Sequence, residues 1–217
     1  QRTGNWPGVT VDRKEGQFKA QGREITVVDL PGVYSLDVDD SATGMDELVA
    51  RDYLLSGEAD LVINIVDASN LERNLYLTTQ VMEMRLPMLI ALNMMDVAEK
   101  RGIKINTKLL GDRLGSLVIP MSVVEGQGVS QLIQIIGERL QSFQHPPSYI
   151  AYPAVIEDAL TDIISYISQH GGKRLVEPRW TALNLLQYED RIDPALNSPE
   201  LLNLIVKHRR QIHQVLG

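Results

Sequence analysis

The order of hydrophobic and polar positions changes once along the chain. From about Val9 to Phe143, short apolar runs alternate with segments of helical periodicity, as in a sheet whose strands are connected by helices. After a short linker that contains two prolines (145–147), only helical periodicity remains. The pattern predicts an α/β domain over residues 1–145 and a small all-α domain over residues 148–217.

Apolar and β-branched runs predict the strands of the first part. An antiparallel pair is expected around a turn at Gly22, formed by Val9–Lys19 and Glu24–Leu30. Three further runs are apolar almost throughout, as in buried parallel strands: Leu61–Asp67, Met88–Asn93 and Leu117–Pro120. Helical periodicity lies between them in Met45–Ser56, Leu71–Met84, Thr107–Leu114 and Val129–Phe143.

The second part reads as three helices. The first has one apolar face and ends at two glycines: Ile156, Leu160, Ile163, Ile164 and Ile167, then Gly171 and Gly172. Trp180–Tyr188 forms the second. The third begins at Ser198, Pro199 and Glu200, a helix-start sequence, and carries an apolar stripe of Leu201, Ile205, Ile212 and Val215.

Composition and charge narrow the class of protein. Apolar residues make up 44% of the 217 residues, yet no apolar run approaches the length needed to cross a bilayer. The absence of cysteine excludes disulfides and thiolate metal sites. The net charge of -7 argues against nucleic-acid binding, which usually requires a basic face. The histidines have no metal-ligand spacing, and we expect them in solvent or in the linker: His145, His170, His208 and His213.

The first candidate motif is the sequence Asp-Leu-Pro-Gly that begins at Asp29, at the carboxyl end of a predicted strand. A carboxylate at the carboxyl end of a strand can hold Mg²⁺ through water. Gly32 has no side chain, so its backbone N–H can approach a terminal phosphate. An ordinary strand-to-loop turn is the simpler explanation of this motif when it is taken alone.

The second motif, Asn93, Met94, Met95 and Asp96, also follows a predicted strand. Asp96 can accept two hydrogen bonds from guanine N1 and N2, which adenine cannot offer. Asn93 would brace the neighbouring loops and contact the base, and Met94 would cover it with an apolar side chain. A helix cap is the structural alternative.

A third element strengthens the other two. Ser122 and Val123 follow the next predicted strand, where a backbone contact with the guanine oxygen is expected. About sixty residues separate Asp29 from Asn93, with one strand and two helices between them, as in Ras-like GTPases. The three motifs in this order predict a Ras-like P-loop GTPase fold, with a mixed, mostly parallel sheet and helices on both faces.

Four segments resemble FeoB-type ferrous iron transporters. They are GNWPGVTV from Gly4, DLPGVYSL from Asp29, VDASNLERNLYLT from Val66 and ALNMMDVAEKRGI from Ala91. The resemblance is dense over residues 1 to about 145, and the helical tail is similar in position and character. It implies a cytoplasmic GTP-binding domain with its helical companion domain, at the cytoplasmic face of the bacterial inner membrane.

The resemblance also implies ligands and partners. Thr10 would ligate Mg²⁺ when GTP is bound, and the carbonyls of Gly4 and Trp6 would hold K⁺ over the phosphates. The cofactors would be GTP or GDP, Mg²⁺ and K⁺. The partner would be the membrane-embedded iron-permeation region of the same polypeptide, while small accessory iron-transport proteins and a homo-oligomer remain open. The helical domain would regulate nucleotide release by packing against residues 33–52.

Two features depart from an ordinary P-loop GTPase. The motif GxxxxGK[ST], which cradles the phosphates, does not occur in the 217 residues, and we expect it upstream of Gln1. Val33 stands where many GTPases have the glutamine that orients the attacking water. The catalytic residue is therefore unassigned, with Tyr34 and Ser35 as the nearest polar candidates, and turnover is expected to be slow and K⁺-stimulated.

Two other functions remain open. A non-hydrolysing GDP-binding regulatory module would be consistent with the absence of the GxxxxGK[ST] motif and of the water-orienting glutamine. A soluble GTPase of the ribosome- or tRNA-modification type would share the Asp29 and Asn93 motifs. It would need a basic partner domain, which residues 148–217 do not provide.

Overall fold

The computed structural model describes residues 2–6, 12–37, 44–139, 150–170, 177–188 and 197–217. Several predictions lie outside these residues, namely those on Val9, Thr10, the linker 145–147, and Gly171 with Gly172. The chain divides into two compact units, Gln1–Ser148 and Tyr149–Gly217. Within the described ranges, no helix combines the length and apolar character needed to cross a membrane.

The first unit contains two three-stranded sheets. The antiparallel sheet has the order β1 (Arg2–Asn5), β2 (Asp12–Ala20) and β3 (Arg23–Asp29). The parallel sheet has the order β4 (Val62–Asp67), β5 (Met88–Asn93) and β6 (Leu117–Pro120). Among the described residues β3 and β4 are edge strands that do not pair with each other, so the expected mixed sheet is divided in two.

Among the described residues, five α-helices and one short 3₁₀ helix (Ala68–Asn70) accompany these sheets. The α-helices are α1 (Met45–Leu55), α2 (Leu71–Glu83), α3 (Met95–Lys100), α4 (Thr107–Leu114) and α5 (Val129–Arg139). The strand and helix predictions are confirmed within a few residues wherever the chain is described. The pattern missed β1 and α3: β1 is short and polar and pairs with β2, and α3 has only six residues.

The parallel sheet is built around β5, whose residues Met88 to Leu92 are all buried. Leu89 and Ala91 pack with Ile119 and Met121, beneath apolar side chains of α5. A strand buried on both faces needs apolar residues at successive positions, which explains the unbroken run Met88–Leu92. Because β6 pairs in parallel with this buried strand, the carboxyl ends of β5 and β6 lie at the same edge of the sheet.

A tight turn joins β2 to β3. Gln21 and Gly22 both have positive φ, 51° and 74°, and Ala20 pairs with Arg23 across them. Two consecutive left-handed residues define the type I′ hairpin, whose twist matches that of the strands. The hairpin packs closely against α5, because a Cβ atom added at Gly137 would stand 2.8 Å from the Ala20 Cβ.

The second unit contains α6 (Ala154–His170), α7 (Pro178–Gln187) and α8 (Pro199–Leu216). Its core consists of fully or nearly buried side chains from the three helices: Leu160, Ile163, Ile167, Ala182, Leu185, Leu201 and Ile205. Ser198 begins α8 as expected, since its Oγ accepts the Leu201 N–H at 3.1 Å.

The inner face of α8 differs from the predicted stripe. Val215 is 66% exposed, and His208, which we expected in solvent, is 4% exposed. The expectation for His208 is wrong because its Nε2 lies 2.9 Å from Asp162 Oδ2 on α6, which gives the buried ring a polar partner. The pairing spans 46 residues of sequence, so local periodicity cannot reveal it.

A buried arginine organises the entry to the helical unit. Arg179 donates from Nη1 to Glu157 Oε2 at 2.8 Å and from Nη2 to Glu157 Oε1 and the Ile150 carbonyl, at 2.9 and 3.0 Å. Glu157 Oε1 also accepts the Tyr152 N–H at 3.0 Å. The hydrogen bonds from Arg179 are the main cause that lowers the pKa of Glu157. The network ties the chain before α6 to both α6 and α7.

Candidate functional site

The loops after β5 and β6 are joined by backbone hydrogen bonds. Met121 N–H donates to the Leu92 carbonyl at 2.8 Å, which extends the strand ladder beyond β6. Met95 N–H donates to the Met121 carbonyl at 3.1 Å. Met94 between them is left-handed, with φ 61° and ψ 30°, and turns the chain from β5 into α3. Carboxyl ends of parallel strands are where α/β sheets bind ligands.

Side chains complete the connection between these two loops. Asn93 Oδ1 accepts the Val123 N–H at 3.2 Å, and Ser122 Oγ donates to Asp96 Oδ1 at 2.9 Å. The structure therefore brings together Asn93, Asp96, Ser122 and Val123, which the sequence singled out from two separate segments. Met94 stands at the same edge and is 40% exposed.

Asp96 is held as an ionised acceptor. Its side chain is 14% exposed, and Lys100 Nζ lies 3.4 Å from its Oδ2. The hydrogen bond from Ser122 is the largest cause that lowers the pKa of Asp96, and Lys100 adds to it against the opposing effect of desolvation. A hydrogen bond to the charged form favours that form. The carboxylate thus keeps its charge at neutral pH.

A small hairpin supports the second loop. Ser122 and Gln127 exchange two backbone hydrogen bonds, Ser122 N–H to Gln127 O at 3.2 Å and Gln127 N–H to Ser122 O at 2.9 Å. Gly128 follows with φ +84°, and a Cβ atom there would stand 2.6 Å from the Pro120 carbonyl oxygen. Only glycine fits this backbone, so Gly128 is part of what positions Ser122.

The second predicted cluster lies at the end of β3. Asp29 is exposed at its carboxyl end, and Gly32 is exposed in the segment that follows. An exposed carboxylate supplies a hard oxygen of the kind that Mg²⁺ prefers. The described residues contain no group of three or more His, Cys, Asp or Glu that could hold a metal ion. Thr10, the expected third contributor, lies outside the described residues.

The predicted K⁺ ligands fall at the start of the chain. Gly4 lies within β1, opposite Arg13 of β2, although the pattern placed the first strand at Val9–Lys19. Trp6 is 5% exposed and packs edge-on against Tyr53 of α1, with ring centroids 5.1 Å apart.

Sequence reasoning missed the contacts of the segment after Gly32. Tyr34 and Ser35, the polar candidates near the motif, turn towards other residues. The Arg73 guanidinium lies 3.8 Å from the centre of the Tyr34 ring, and Ser35 Oγ accepts the Asp37 N–H at 2.8 Å. The spacing of Arg73, Tyr76 and Gln80 on α2 was the available signal, because i, i+3 and i+7 share a helix face.

This fold and these loops define a Ras-like guanine-nucleotide-binding domain followed by a helical domain. Residues 1–136 match the family model for ferrous iron transport protein B, and residues 152–217 match that for the FeoB cytosolic helical domain. The chain belongs to the ferrous iron transport protein B family.

Both curated proteins and solved structures are similar to this chain. The Fe(2+) transporter FeoB of Escherichia coli (strain K12) is 59% identical over 121 residues, which is 56% of this chain and 16% of that protein. A GDP-bound mutant of S. thermophilus NFeoB has a TM-score of 0.85 and 36% identity, over 99% of this chain and 80% of that one. The cytosolic domain of L. pneumophila FeoB has a TM-score of 0.77 and 32% identity, over 99% of this chain and 87% of that one. This chain thus spans 16% of the length of the curated relative from E. coli.

Proposed function

We propose that this chain is the GTP-binding and GTP-hydrolysing switch of a prokaryotic ferrous iron transporter, and that it regulates Fe²⁺ uptake from the cytoplasmic face of the inner membrane. The observation that carries the proposal is the cluster of Asn93, Asp96 and Ser122 at one sheet edge. Two relatives support it, since the E. coli protein is an Fe(2+) transporter and the S. thermophilus protein binds GDP.

Asp96 would read the base. Guanine presents two N–H donors, N1 and N2, on one edge, and the two carboxylate oxygens of Asp96 can accept both. Adenine lacks this pair of donors and would leave a partly buried carboxylate unsatisfied, which is how polar sites reject close analogues. The Ser122 hydroxyl on Oδ1 fixes the orientation of the carboxylate. Asn93 braces the two loops by accepting the Val123 N–H, and Met94 would cover the base.

Asp29, Gly32 and Thr10 would form the phosphate-facing side. Asp29 would hold Mg²⁺ through water, Thr10 would ligate it directly, and the Gly32 N–H would contact the terminal phosphate. Bound Mg²⁺ and K⁺ would offset the negative charge of the phosphates as it redistributes in the transition state. Gly4 and Trp6 would contribute carbonyl oxygens to K⁺.

Slow turnover follows from the residues next to Gly32. Val33 has no group that orients water, and Tyr34 and Ser35 contact Arg73 and the Asp37 amide. A nucleophile that is not oriented loses much of the advantage of proximity. Coupling to iron movement would run to the membrane-embedded region of the same polypeptide.

Nucleotide competition on the intact transporter tests the proposal. We expect a fluorescent GDP analogue to be displaced by GTP and GDP but not by ATP. Asp96→Ala should weaken GDP binding at least about 100-fold, because two hydrogen bonds to a charged acceptor are lost. Glu99→Ala is the matched control, an exposed acidic residue on the same helix, and should leave the affinity unchanged.

Hydrolysis separates the proposed switch from a non-hydrolysing GDP-binding module. We expect phosphate release from GTP that is slow and faster in K⁺ than in Na⁺ at equal ionic strength. Equal displacement by ATP, or an unaltered affinity in Asp96→Ala, would remove the basis for guanine recognition. Binding of GDP without any phosphate release would favour the regulatory module.

A further inference from the structure

The segment that follows Gly32 is attached to α2 by side-chain contacts. Gln80 Oε1 accepts the Leu36 N–H at 2.8 Å, and Gln80 Nε2 donates to Asp37 Oδ1 at 2.9 Å. Tyr76 Oη donates to Asp37 Oδ2 at 2.6 Å. With Arg73 over the Tyr34 ring, residues 34–37 are fastened at three of their four positions.

The helix residues involved form one face. Arg73, Tyr76 and Gln80 stand at i, i+3 and i+7, so they follow one another along the helix surface. We call these three residues the α2 clamp. Each makes a different kind of contact: a cation over an aromatic ring, a hydroxyl on a carboxylate, and an amide that both accepts and donates.

The central contact involves a buried backbone amide. Leu36 is 3% exposed, so its N–H requires a protein partner, and Gln80 supplies one from a position 44 residues away. A buried N–H that loses its partner carries the full cost of its desolvation. The Leu36 amide is therefore a sensitive reporter of whether the clamp is closed.

We propose that the α2 clamp is a positioning site for residues 34–37 and, through them, for Gly32. Tyr34 is two residues beyond Gly32, and a chain spans at most about 3.6 Å per residue, so a fixed Tyr34 confines Gly32 to a radius of roughly 7 Å. The clamp residues touch no nucleotide in this scheme. The part of the proposal that concerns phosphate rests on the proposed function.

A donor–acceptor exchange tests the clamp itself. Asp37→Asn leaves one acceptor oxygen for two donors, Gln80 Nε2 and Tyr76 Oη, and Gln80→Glu places a second carboxylate against Asp37. Each single change should speed hydrogen exchange of the Leu36 amide by about tenfold, because a hydrogen bond to a charged group is lost. In the double variant, Asp37→Asn with Gln80→Glu, the new amide on the segment can donate to the new carboxylate on α2, so the protection should return.

The control is Glu72→Gln, an exposed residue in the first turn of α2 that makes the same carboxyl-to-amide change. It should leave Leu36 exchange unchanged. Equal Leu36 exchange in the parent and both single variants would overturn the clamp. Failure of the double variant to recover, while the singles are affected, would show that the contacts are not specific and would also overturn it.

Nucleotide preference in the intact transporter tests the link to Gly32. Because Gly32 would touch only the terminal phosphate, Gln80→Glu should lower the affinity for a non-hydrolysable GTP analogue about tenfold and leave that for GDP unchanged. The double variant should restore the ratio. A purely structural role would change both affinities or neither, and that result would overturn the positioning of Gly32.

The two experiments separate failure of the clamp from failure of the proposed function. Hydrogen exchange at Leu36 needs no nucleotide, so it decides the clamp even if the protein binds neither GTP nor GDP. Absence of guanine-nucleotide binding, with the predicted exchange pattern present, would contradict the proposed function and the role of the clamp at Gly32. The clamp as a structural attachment would stand.

Discussion

The loops after β5 and β6, which carry Asn93, Asp96 and Ser122, form what we call the base-reading edge. These loops and the segment after Gly32 all follow strands, but they are held in different ways. Met121 and Met95 of the base-reading loops are held by backbone hydrogen bonds that continue the β5–β6 ladder. Residues 34–37 are held by the side chains of α2. A backbone ladder extends a cooperative sheet, whereas side-chain contacts worth about 1 kcal/mol each can open singly.

This difference suits the two proposed tasks. A base reader that must reject adenine benefits from a rigid arrangement of acceptors. A segment that must respond to the terminal phosphate benefits from contacts weak enough to exchange, since a ligand shifts a two-state equilibrium only by its differential affinity. Under the proposed function, a base reader held by backbone hydrogen bonds would work beside a phosphate-facing segment held by side chains.

The largest expected effect comes from a substitution in the loop after β6, at the base-reading edge. Gly128→Ala should destabilise the first unit by about 3 kcal/mol, because the added Cβ meets the Pro120 carbonyl at a left-handed backbone position. Gly126→Ala is the matched control, also left-handed with φ +71° but with open space around it. It should cost only about 1 kcal/mol.

Chemical denaturation measures both glycine variants. Equal destabilisation by the two would mean that the backbone angle alone matters and that the contact with Pro120 does not hold the loop. Such a result would remove one reason for calling this side of the site rigid.

A smaller effect is expected at Ser122. Ser122→Ala should weaken GDP binding by about 1–2 kcal/mol, because a hydrogen bond to a charged group is lost. It should also shift the pH dependence. The depressed pKa of Asp96 keeps the acceptor ionised below the usual range of an aspartate, so affinity is complete above that range and is lost as the pH falls through the depressed pKa.

Without the Ser122 hydroxyl the pKa of Asp96 rises, and the loss of affinity should begin at higher pH. GDP titrations between about pH 3.5 and 6 measure the shift, around the ordinary aspartate pKa near 4. Ser130→Ala, an exposed serine at the start of α5, serves as the control. An unshifted profile in Ser122→Ala would show that another group sets the ionisation of Asp96.

The smallest effect is expected in the α2 clamp, which holds the segment after Gly32. Tyr76→Phe removes the hydroxyl that donates to Asp37 and leaves the ring. Because this hydrogen bond is exposed to solvent, local opening at Leu36 should become easier by about 1 kcal/mol or less. Thr79→Ala is the control, since its hydroxyl bonds within α2 to the Tyr76 carbonyl. Hydrogen exchange at Leu36 should rise in the first variant only. If the free energy of local opening changed more in Tyr76→Phe than the free energy of GDP binding changes in Ser122→Ala, the expected order of the two effects would be wrong.

Much of the fold could be predicted from local pattern. The run Met88–Asn93 indicated the central strand, and Ser198 with Pro199 indicated the start of α8, because burial on both faces and helix capping each leave a local signature. The residues of the base-reading edge could also be named, since Asn93, Asp96 and Ser122 lie at the carboxyl ends of β5 and β6 or within three residues of them. Their roles remain proposals.

Other features had no local signature. β1 is a strand because β2 pairs with it, and its residues Arg2–Asn5 have no apolar alternation. His208 is buried because Asp162, on another helix, offers it a partner. The α2 clamp meets its targets across more than 35 residues of sequence, as in the pairs Tyr76–Asp37 and Gln80–Leu36.

The sequence by itself determined the α/β and helical parts, the strand ends that carry Asp29, Asn93 and Ser122, and the family resemblance. Periodicity and capping act over a few residues, so these features are legible one segment at a time. The tertiary structure alone decided that Ser122 holds the Asp96 carboxylate and that α2 holds the segment after Gly32. Such contacts depend on how distant segments meet in space, which no local pattern encodes.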